Sequence, residues 1–412
     1  MEAYGHLLLI AMPAFLLLVL IEKAYAYYRG ADNVPALDMI SSFTSGITNV
    51  TKDVLGLTVV VFSYGWLLDK LALTQLEAGF TTGLIVFIVQ DFASYWIHRL
   101  AHRVNLFWNN HIIHHSSEQF NLACALRQSI SVFFRIFTFF LIPAALLGIP
   151  QSVVAVVIPL HLFAQFWYHT EHIQKMGLLE HILVTPAHHR VHHAINPQYM
   201  DKNYSAIFIV WDKLFGTFQE ERDGIKPVYG VTRAVQTWNP IRINFKHLAL
   251  LIRDCWHTAS WKDKCRLWFM PTGWRPADVE AKWPVPTIQA VSQQQKYTTE
   301  TPRYFIAWCW VQLLVLLLLI SFLFARLAAI GTPLMYGYGL FIFLFVYALT
   351  ELMDRNRWSL LWELFKLAAG YFVIRSMMIV FPDQAMLILG MAGFYALLSV
   401  AGTLYFLPSK SN

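Results

Sequence analysis

The chain has 412 residues, of which 57% are apolar and 16% aromatic but only 14% charged, and its formal net charge is +6. Soluble domains usually carry about 25% charged residues, so this composition excludes an ordinary soluble globule and points into a membrane. No phosphate loop, dinucleotide fingerprint, G-x-S-x-G elbow or C-x-x-C pair occurs, and Cys124, Cys255, Cys265 and Cys309 lack the spacing of ligands or nucleophiles.

In chain order, apolar windows that approach the roughly 20-residue length of a spanning helix lie near residues 4–26, 54–71, 80–97, 130–147, 151–168, 304–324, 333–349, 361–381 and 384–407. Some of the middle windows are short enough to be buried or re-entrant. The first has no basic stretch before it and no small-residue cleavage site after it, so it reads as a retained helix and not as a signal peptide. The expected fold is all-α: a multi-pass membrane protein of roughly seven to nine helices, with a histidine-rich two-metal site under a cytosolic helical cap. Residues 1–77 form the N-terminal membrane helices, 78–283 a catalytic region with its cap, 284–303 a linker, and 304–412 a separate C-terminal bundle that contains no histidine.

Charge sets the orientation. Residues 174–303 hold 17 Lys plus Arg against 11 Asp plus Glu, a net of +6 that equals the charge of the whole chain. Positive segments stay on the cytosolic side. Lys23, Arg29 and Lys52 follow the first helix, which places Lys23, and with it Lys410, on that side as well. Counting spans from there puts His98, His102 and His169 at cytosolic helix ends. Seven tryptophans among Lys and Arg between residues 195 and 303 fit anchoring at a bilayer surface and not nucleic-acid binding. The compartment is the inner membrane of a bacterium or the endoplasmic reticulum of a eukaryote.

Thirteen of the 16 histidines lie between residues 98 and 193. Three groups stand out: His98 and His102; His111, His114 and His115; and His188, His189, His192 and His193. Residues three and four apart share a helix face, so each group can aim several imidazoles at one point. A lone apolar-face histidine is usually a hydrogen-bonded core residue, and a loose His-rich tract can scavenge metal, but neither explains repeated helical spacing. One ion takes about four to six ligands, so this many imidazoles imply two metals.

Around these groups, Asp91 lies seven residues before His98 and is a candidate to hold an imidazole tautomer, or else to cap or snorkel near a helix end. Arg127 and Gln128 either meet a lipid headgroup or mark the membrane interface. His161 reads as a satisfied buried histidine. His169 is placed as a further ligand and Glu171 as a supporting acid or proton shuttle, whereas His181 reads as structural. Two imidazole-held metals at the cytosolic ends of membrane helices suit oxygen activation on a lipid. Ligand type alone admits zinc, but breaking an unactivated C–H bond calls for iron. A lipid would come sideways from the bilayer, and electrons from a separate donor. A desaturase with the same metals is the nearest alternative. A non-enzymatic metal transporter or lipid-binding protein is more distant, because a transporter buries its ionisable groups along a mid-membrane path.

The pattern His98-x3-His102, His111-x2-His114-His115 and His189-x2-His192-His193 resembles the three histidine boxes of the fatty acid hydroxylase (sterol desaturase) superfamily. The stretches WIHRLA, HHSSEQFN, ALRQ, QFWYHTE, TPAHHRVHH, DKNY and WDKLFGTF resemble the subgroup that cleaves alkylglycerol ethers. That resemblance implies an iron-dependent monooxygenase of ether lipids using dioxygen and tetrahydrobiopterin. It also implies hydroxylation beside the ether oxygen, giving a hemiacetal that falls apart to an aldehyde and glycerol. Carried over as ligands are His98, His102, His111, His114, His115, His189, His192 and His193. His169 and His188 match positions outside the boxes. One position departs: the subgroup often has an acid after the second histidine of the first box, where this chain has Arg103, so a salt-bridge partner or supporting acid is missing there.

Overall fold

A computed structural model describes residues 2–31 and 33–408, so Lys410 lies outside the described residues. The described chain is helical, apart from two two-residue strands, Val59–Val60 and Phe134–Arg135, paired in parallel. Five helices are long and apolar enough to cross a membrane: Leu7–Tyr28, Phe80–Arg103, Phe305–Ala325, Thr332–Met353 and Pro382–Tyr405. The window at 361–381 folds as the helix Ser359–Val380, which carries Glu363, Lys366 and Arg375.

The middle windows break for local reasons. In the 54–71 window the chain leaves one helix at Val54 and starts another, Tyr64–Leu71, where the Ser63 hydroxyl caps the Trp66 amide. The 130–147 window becomes a 3-10 turn, Phe137–Leu141, and a short helix, Ile142–Leu146, with Pro143 in its first turn. Gln151–Phe163 has 13 residues, about 20 Å of helix, which is too short to cross the roughly 30 Å hydrocarbon core.

The first and last thirds of the chain share one core. Phe305–Ala325 packs against Glu2–Tyr28, Ala36–Val54 and Thr332–Met353, and Met39, Ile40, Leu313, Leu316 and Phe345 are fully buried in that core. Against it lies the histidine region, where Phe80–Arg103 packs on Gln151–Phe163. The amphipathic helix Pro240–His257 packs against Ala36–Val54 and the Ile112–His115 turn. Proline at its first position and the Asn239 side chain, which accepts from the Ile241 and Arg242 amides, start it. Asn239 Nδ2 donates to Glu351 Oε1 at 3.1 Å and the Trp238 amide to Asp354 Oδ1 at 2.7 Å, which ties the start of this helix to the end of Thr332–Met353.

Arg127 is not available to a headgroup. Its guanidinium is buried and donates to Asp38 Oδ1 at 2.7 Å, Ser116 Oγ at 2.7 Å and Ser42 Oγ at 3.0 Å. A buried cation is tolerable only when paired and hydrogen-bonded in this way. Because Ser116 follows directly on His115, the cluster clamps the second histidine box to the Ala36–Val54 helix. Gln128 is half-buried, its Nε2 donating to Ala125 O at 2.9 Å.

Candidate metal centre

Three helical pieces bring the boxes together. His98 and His102 occupy the last two turns of Phe80–Arg103. His111 caps the single turn Ile112–His115. His188, His189, His192 and His193 lie on Pro186–His193, an eight-residue helix started by a first-turn proline and buried at every position. Successive helical residues diverge by about 100°, so His114 and His115 point to different places, as do His192 and His193. The result is two groups, each with ligand atoms within 4.8 Å of one another: His98, His102, His111, His115 and His192, and His114, His169, His189 and His193. They adjoin, with the His115 and His193 rings stacked at 4.3 Å.

The contacts inside each group are nitrogen to nitrogen. His98 Nε2 is 2.9 Å from His111 Nε2, and His115 Nε2 is 3.1 Å from both His102 Nε2 and His111 Nε2. In the second group His189 Nε2 lies 2.9 Å from His169 Nε2 and 3.0 Å from His193 Nε2. Backbone carbonyls decide several tautomers, because a carbonyl only accepts. His98 Nδ1 meets Tyr204 O at 2.7 Å, His192 Nδ1 meets Lys202 O at 2.9 Å, and His169 Nδ1 meets Gln165 O at 3.1 Å. Each Nδ1 therefore carries the proton and each Nε2 turns a bare lone pair inward. Nitrogens converging at this distance are held by a shared proton or by a cation among them. Nitrogens bound at about 2.1 Å to one ion, at right angles, are about 3.0 Å apart, so the donor set fits a metal in each group. Burial, reinforced by the neighbouring imidazoles, holds His111, His114, His115, His189, His192 and His193 well below the usual histidine range, and burial lowers His169 to about 4. Neutral imidazole is the ligand form.

The expected ligands sort cleanly. All eight box histidines fall within the two groups and His169 joins them, whereas His188 stays outside, its ring edge-on to Phe218 at 5.5 Å. Phe120 and Tyr168 line the four-histidine group, with ring centroids 5.3 Å from His193 and 4.4 Å from His189 respectively. His161 is buried and satisfied, and His181 is exposed.

The acids differ from expectation. Asp91 touches none of the nine grouped histidines. Its carboxylate meets His161 Nε2 at 2.8 Å and accepts from the Ile207 and Phe208 amides and from Trp211 Nε1 at 2.8–3.1 Å. The reason is helical position, since His161 and residues 207–211 lie against the Asp91 turn, about two turns below His98. Glu171 faces Asn33 Nδ2 at 3.4 Å and is not among the grouped ligands. Beside Arg103 the missing acid is supplied from a distant loop: Arg103 Nη1 donates to Asp201 Oδ2 at 2.9 Å, and Asp201 Oδ1 is 4.0 Å from His102 Nδ1.

That loop is the part sequence reasoning missed, although DKNY lies within it. Asp201 and Asn203 both adopt the left-handed region, with φ of 60° and 56°, which short polar side chains tolerate. This turns the Lys202 and Tyr204 carbonyls toward the histidines. Asp212, fully buried, accepts from the Tyr204 and Ser205 amides at 2.8 Å, while Asp91 holds residues 207 and 208. Two buried carboxylates thus fix the backbone that orients His98.

Residues 83–217, which contain every grouped histidine, match the fatty acid hydroxylase family. Over 348 residues the chain is 33% identical to alkylglycerol monooxygenase of Homo sapiens, covering 84% of this chain and 77% of that protein. It is 34% identical over 304 residues to the alkylglycerol monooxygenase of Xenopus tropicalis (74% of this chain, 67% of the relative) and 37% identical over 269 residues to that of Danio rerio (65% and 59%). No solved structure matches the chain.

Proposed function

The chain belongs to the fatty acid hydroxylase superfamily, and from that premise we propose that it is a membrane-bound di-iron monooxygenase that hydroxylates a lipid C–H bond with dioxygen. The observation that carries this reading is the pair of adjoining all-imidazole groups with inward lone pairs. His98, His102, His111, His115 and His192 would hold one ion, and His114, His169, His189 and His193 the other. Bound iron would supply oxygen activation, which no side chain here can supply.

The chain's own residues do the rest. The Tyr204 and Lys202 carbonyls keep protons on Nδ1 of His98 and His192, and the Gln165 carbonyl does so for His169. Burial keeps the imidazoles outside the membrane span neutral down to mildly acidic pH. Phe120 and Tyr168 exclude water from the four-histidine group. Asp91 and Asp212 keep the orienting loop rigid, so that ligand positions are set before a substrate arrives.

By similarity to the alkylglycerol monooxygenases the substrate is an ether lipid. Hydroxylation of the carbon beside the ether oxygen yields a hemiacetal, which collapses to a fatty aldehyde and the freed glycerol hydroxyl, with tetrahydrobiopterin or another donor providing electrons. The basic 174–303 segment argues for a cytosolic active site. Purified protein should contain about two iron ions per chain, and labelled dioxygen should leave its oxygen in the product of an alkylglycerol in a donor-dependent way. A new double bond without incorporated oxygen would make the protein a desaturase. Turnover without dioxygen would end the oxygenase reading altogether.

A further inference from the structure

Where the Phe80–Arg103 helix leaves the apolar zone, a cavity of about 470 Å³ opens, lined by Arg99, Arg103, Met200, Asp201, Lys202 and Tyr204, among others. Three cations face one carboxylate. Arg103 is matched by Asp201, but Arg99 donates only to the neutral Tyr95 hydroxyl, at 2.9 Å, and among the described residues neither Arg99 nor Lys202 has a carboxylate at ion-pair distance. The cavity is therefore left with two uncompensated positive charges.

Two further observations say what fits it. Tyr204 is 1% exposed and its hydroxyl lies beside the Asp201 carboxylate, so the cavity floor is aromatic with one polar edge. The helix also carries a ridge of large apolar residues four apart, Phe80, Leu84, Ile88, Phe92 and Trp96, of which the first three are 88%, 47% and 42% exposed. This ridge runs along a candidate membrane span and ends at Arg99 and Arg103. An aliphatic ridge leading into a cationic hole is complementary to an amphiphile with an anionic head. The Tyr204 ring lines the cavity and also packs on the histidines, with centroid distances of 5.3 Å to His102, 5.9 Å to His98 and 6.0 Å to His192.

We propose that this cavity is the headgroup site for a phosphate-bearing lipid, with Arg99 and Lys202 binding the phosphate and the chain lying along the Phe80–Trp96 ridge. The proposal rests on the reading above that the substrate is a lipid. It adds that the head is anionic, and that the anchored phosphate sets which carbon comes past Tyr204. Guanidinium is suited to phosphate because its planar donors match two oxygens at once.

The test uses the full-length protein in detergent and two ether lipids with the same alkyl chain, one bearing glycerophosphate and one bare glycerol, with inorganic phosphate as a third probe. The phosphate lipid should bind about 10-fold or more tighter than its neutral partner, with inorganic phosphate a weak competitor. The Arg99→Gln/Lys202→Gln double variant should lose that preference, Arg99→Lys should restore part of it, and the exposed-site control Lys262→Gln should keep it. Metal content is measured in every variant, so a misfolded site is recognised, and Lys202→Gln alone serves if the double variant misfolds. Equal binding of the two lipids by the unmodified protein overturns the proposal, as does a preference that survives both substitutions. Tight inorganic phosphate binding without lipid preference makes it a free-phosphate site. Loss of turnover confined to an acidic protein electron donor makes it a donor-docking face. A protein that prefers the phosphate lipid but carries no metal would keep the cavity and sink the monooxygenase reading.

Discussion

In the C-terminal bundle, Lys366 is buried between helices with its Nζ 2.8 Å from Glu363 Oε2, 3.0 Å from the Tyr395 hydroxyl and 2.8 Å from Ser399 Oγ. An ammonium has three protons, and here each has an acceptor. The Tyr395 hydroxyl in turn donates a hydrogen bond to Gln312 Oε1 at 2.6 Å. Around the histidines the same kind of buried polar convergence ends differently: imidazole nitrogen meets imidazole nitrogen, and at His98, His169 and His192 the inward nitrogen carries no proton. Both regions place ionisable groups where water is scarce, and both demand an explanation. A network that satisfies its donors internally fixes the packing of the helices that carry it. A network in which neutral imidazole nitrogens converge in two groups, with no cationic side chain among the described residues of either, is shaped to hold metal ions. The contrast separates a structural cluster from a ligand site without any appeal to similarity.

The largest expected effect breaks that contrast at the histidines. His192→Ala and His114→Ala each remove one lone pair from a different group. Each should drop turnover by more than about 100-fold and lower the bound metal, with helicity by circular dichroism unchanged. Retention of two metals and full turnover in either variant would mean that the convergence is not a ligand set.

In the bundle, Lys366→Met should cost about 3 kcal/mol of stability, because Glu363 is left charged and unpaired. Turnover per folded molecule should change less than about twofold, since nothing in the network reaches the histidines. Replacing both partners, Lys366→Met with Glu363→Leu, should restore most of the melting temperature. A large turnover loss in that double variant would give the bundle a part in the chemistry.

Asp91 lies between the two cases, satisfied like Lys366 but one layer from the metal site. Asp91→Asn keeps one acceptor oxygen and turns an amide toward donors, so about 2 kcal/mol should be lost. Turnover should fall only as the 207–211 loop loosens. The discriminating measurement is metal stoichiometry at low temperature, which should stay at the unmodified value. Immediate metal loss there would show that the loop holds the ligands more directly than its bonds indicate.

How much of this could be read from the sequence depends on the range of the interaction. Helical spacing is local, so the boxes and most of the long apolar helices were legible. The nine-window reading overshot in the middle because Pro143 and the capping Ser63 act within one turn, while a hydropathy window averages over five. Spacing also grouped histidines by box, whereas the two groups cut across boxes: His114 and His115 part company because neighbouring helical residues diverge. The partners of Asp91, Arg127 and Arg103 were illegible because each bond spans tens of residues or more, from Arg127 to Asp38, from Asp91 to Trp211 and from Arg103 to Asp201. Arg103 is the instructive case. An acid absent from the next position in the chain was supplied from 98 residues away.

The smallest expected effect sharpens the contrast with a histidine that is buried but satisfied. His247, on the Pro240–His257 helix, has Nε2 3.0 Å from Asn105 O, and burial lowers it to about 4. In the unfolded chain it titrates near 6.5. Its folded value is the lower one, so between these values the unfolded state takes up the proton first. The contribution to stability is therefore complete above pH 6.5 and is lost as pH falls toward 4. At pH 5.5, one unit below the unfolded value, the loss is about 1.4 kcal/mol. His247→Gln can still donate to Asn105 O but cannot titrate. In metal-loaded protein, the stability gap between the unmodified chain and this variant should therefore shrink by about that amount between pH 7.5 and 5.5. The metal-binding histidines are common to both proteins and cancel in the comparison. An unchanged gap would mean that His247 is already protonated in the fold, and that burial alone does not keep the histidines of this chain neutral.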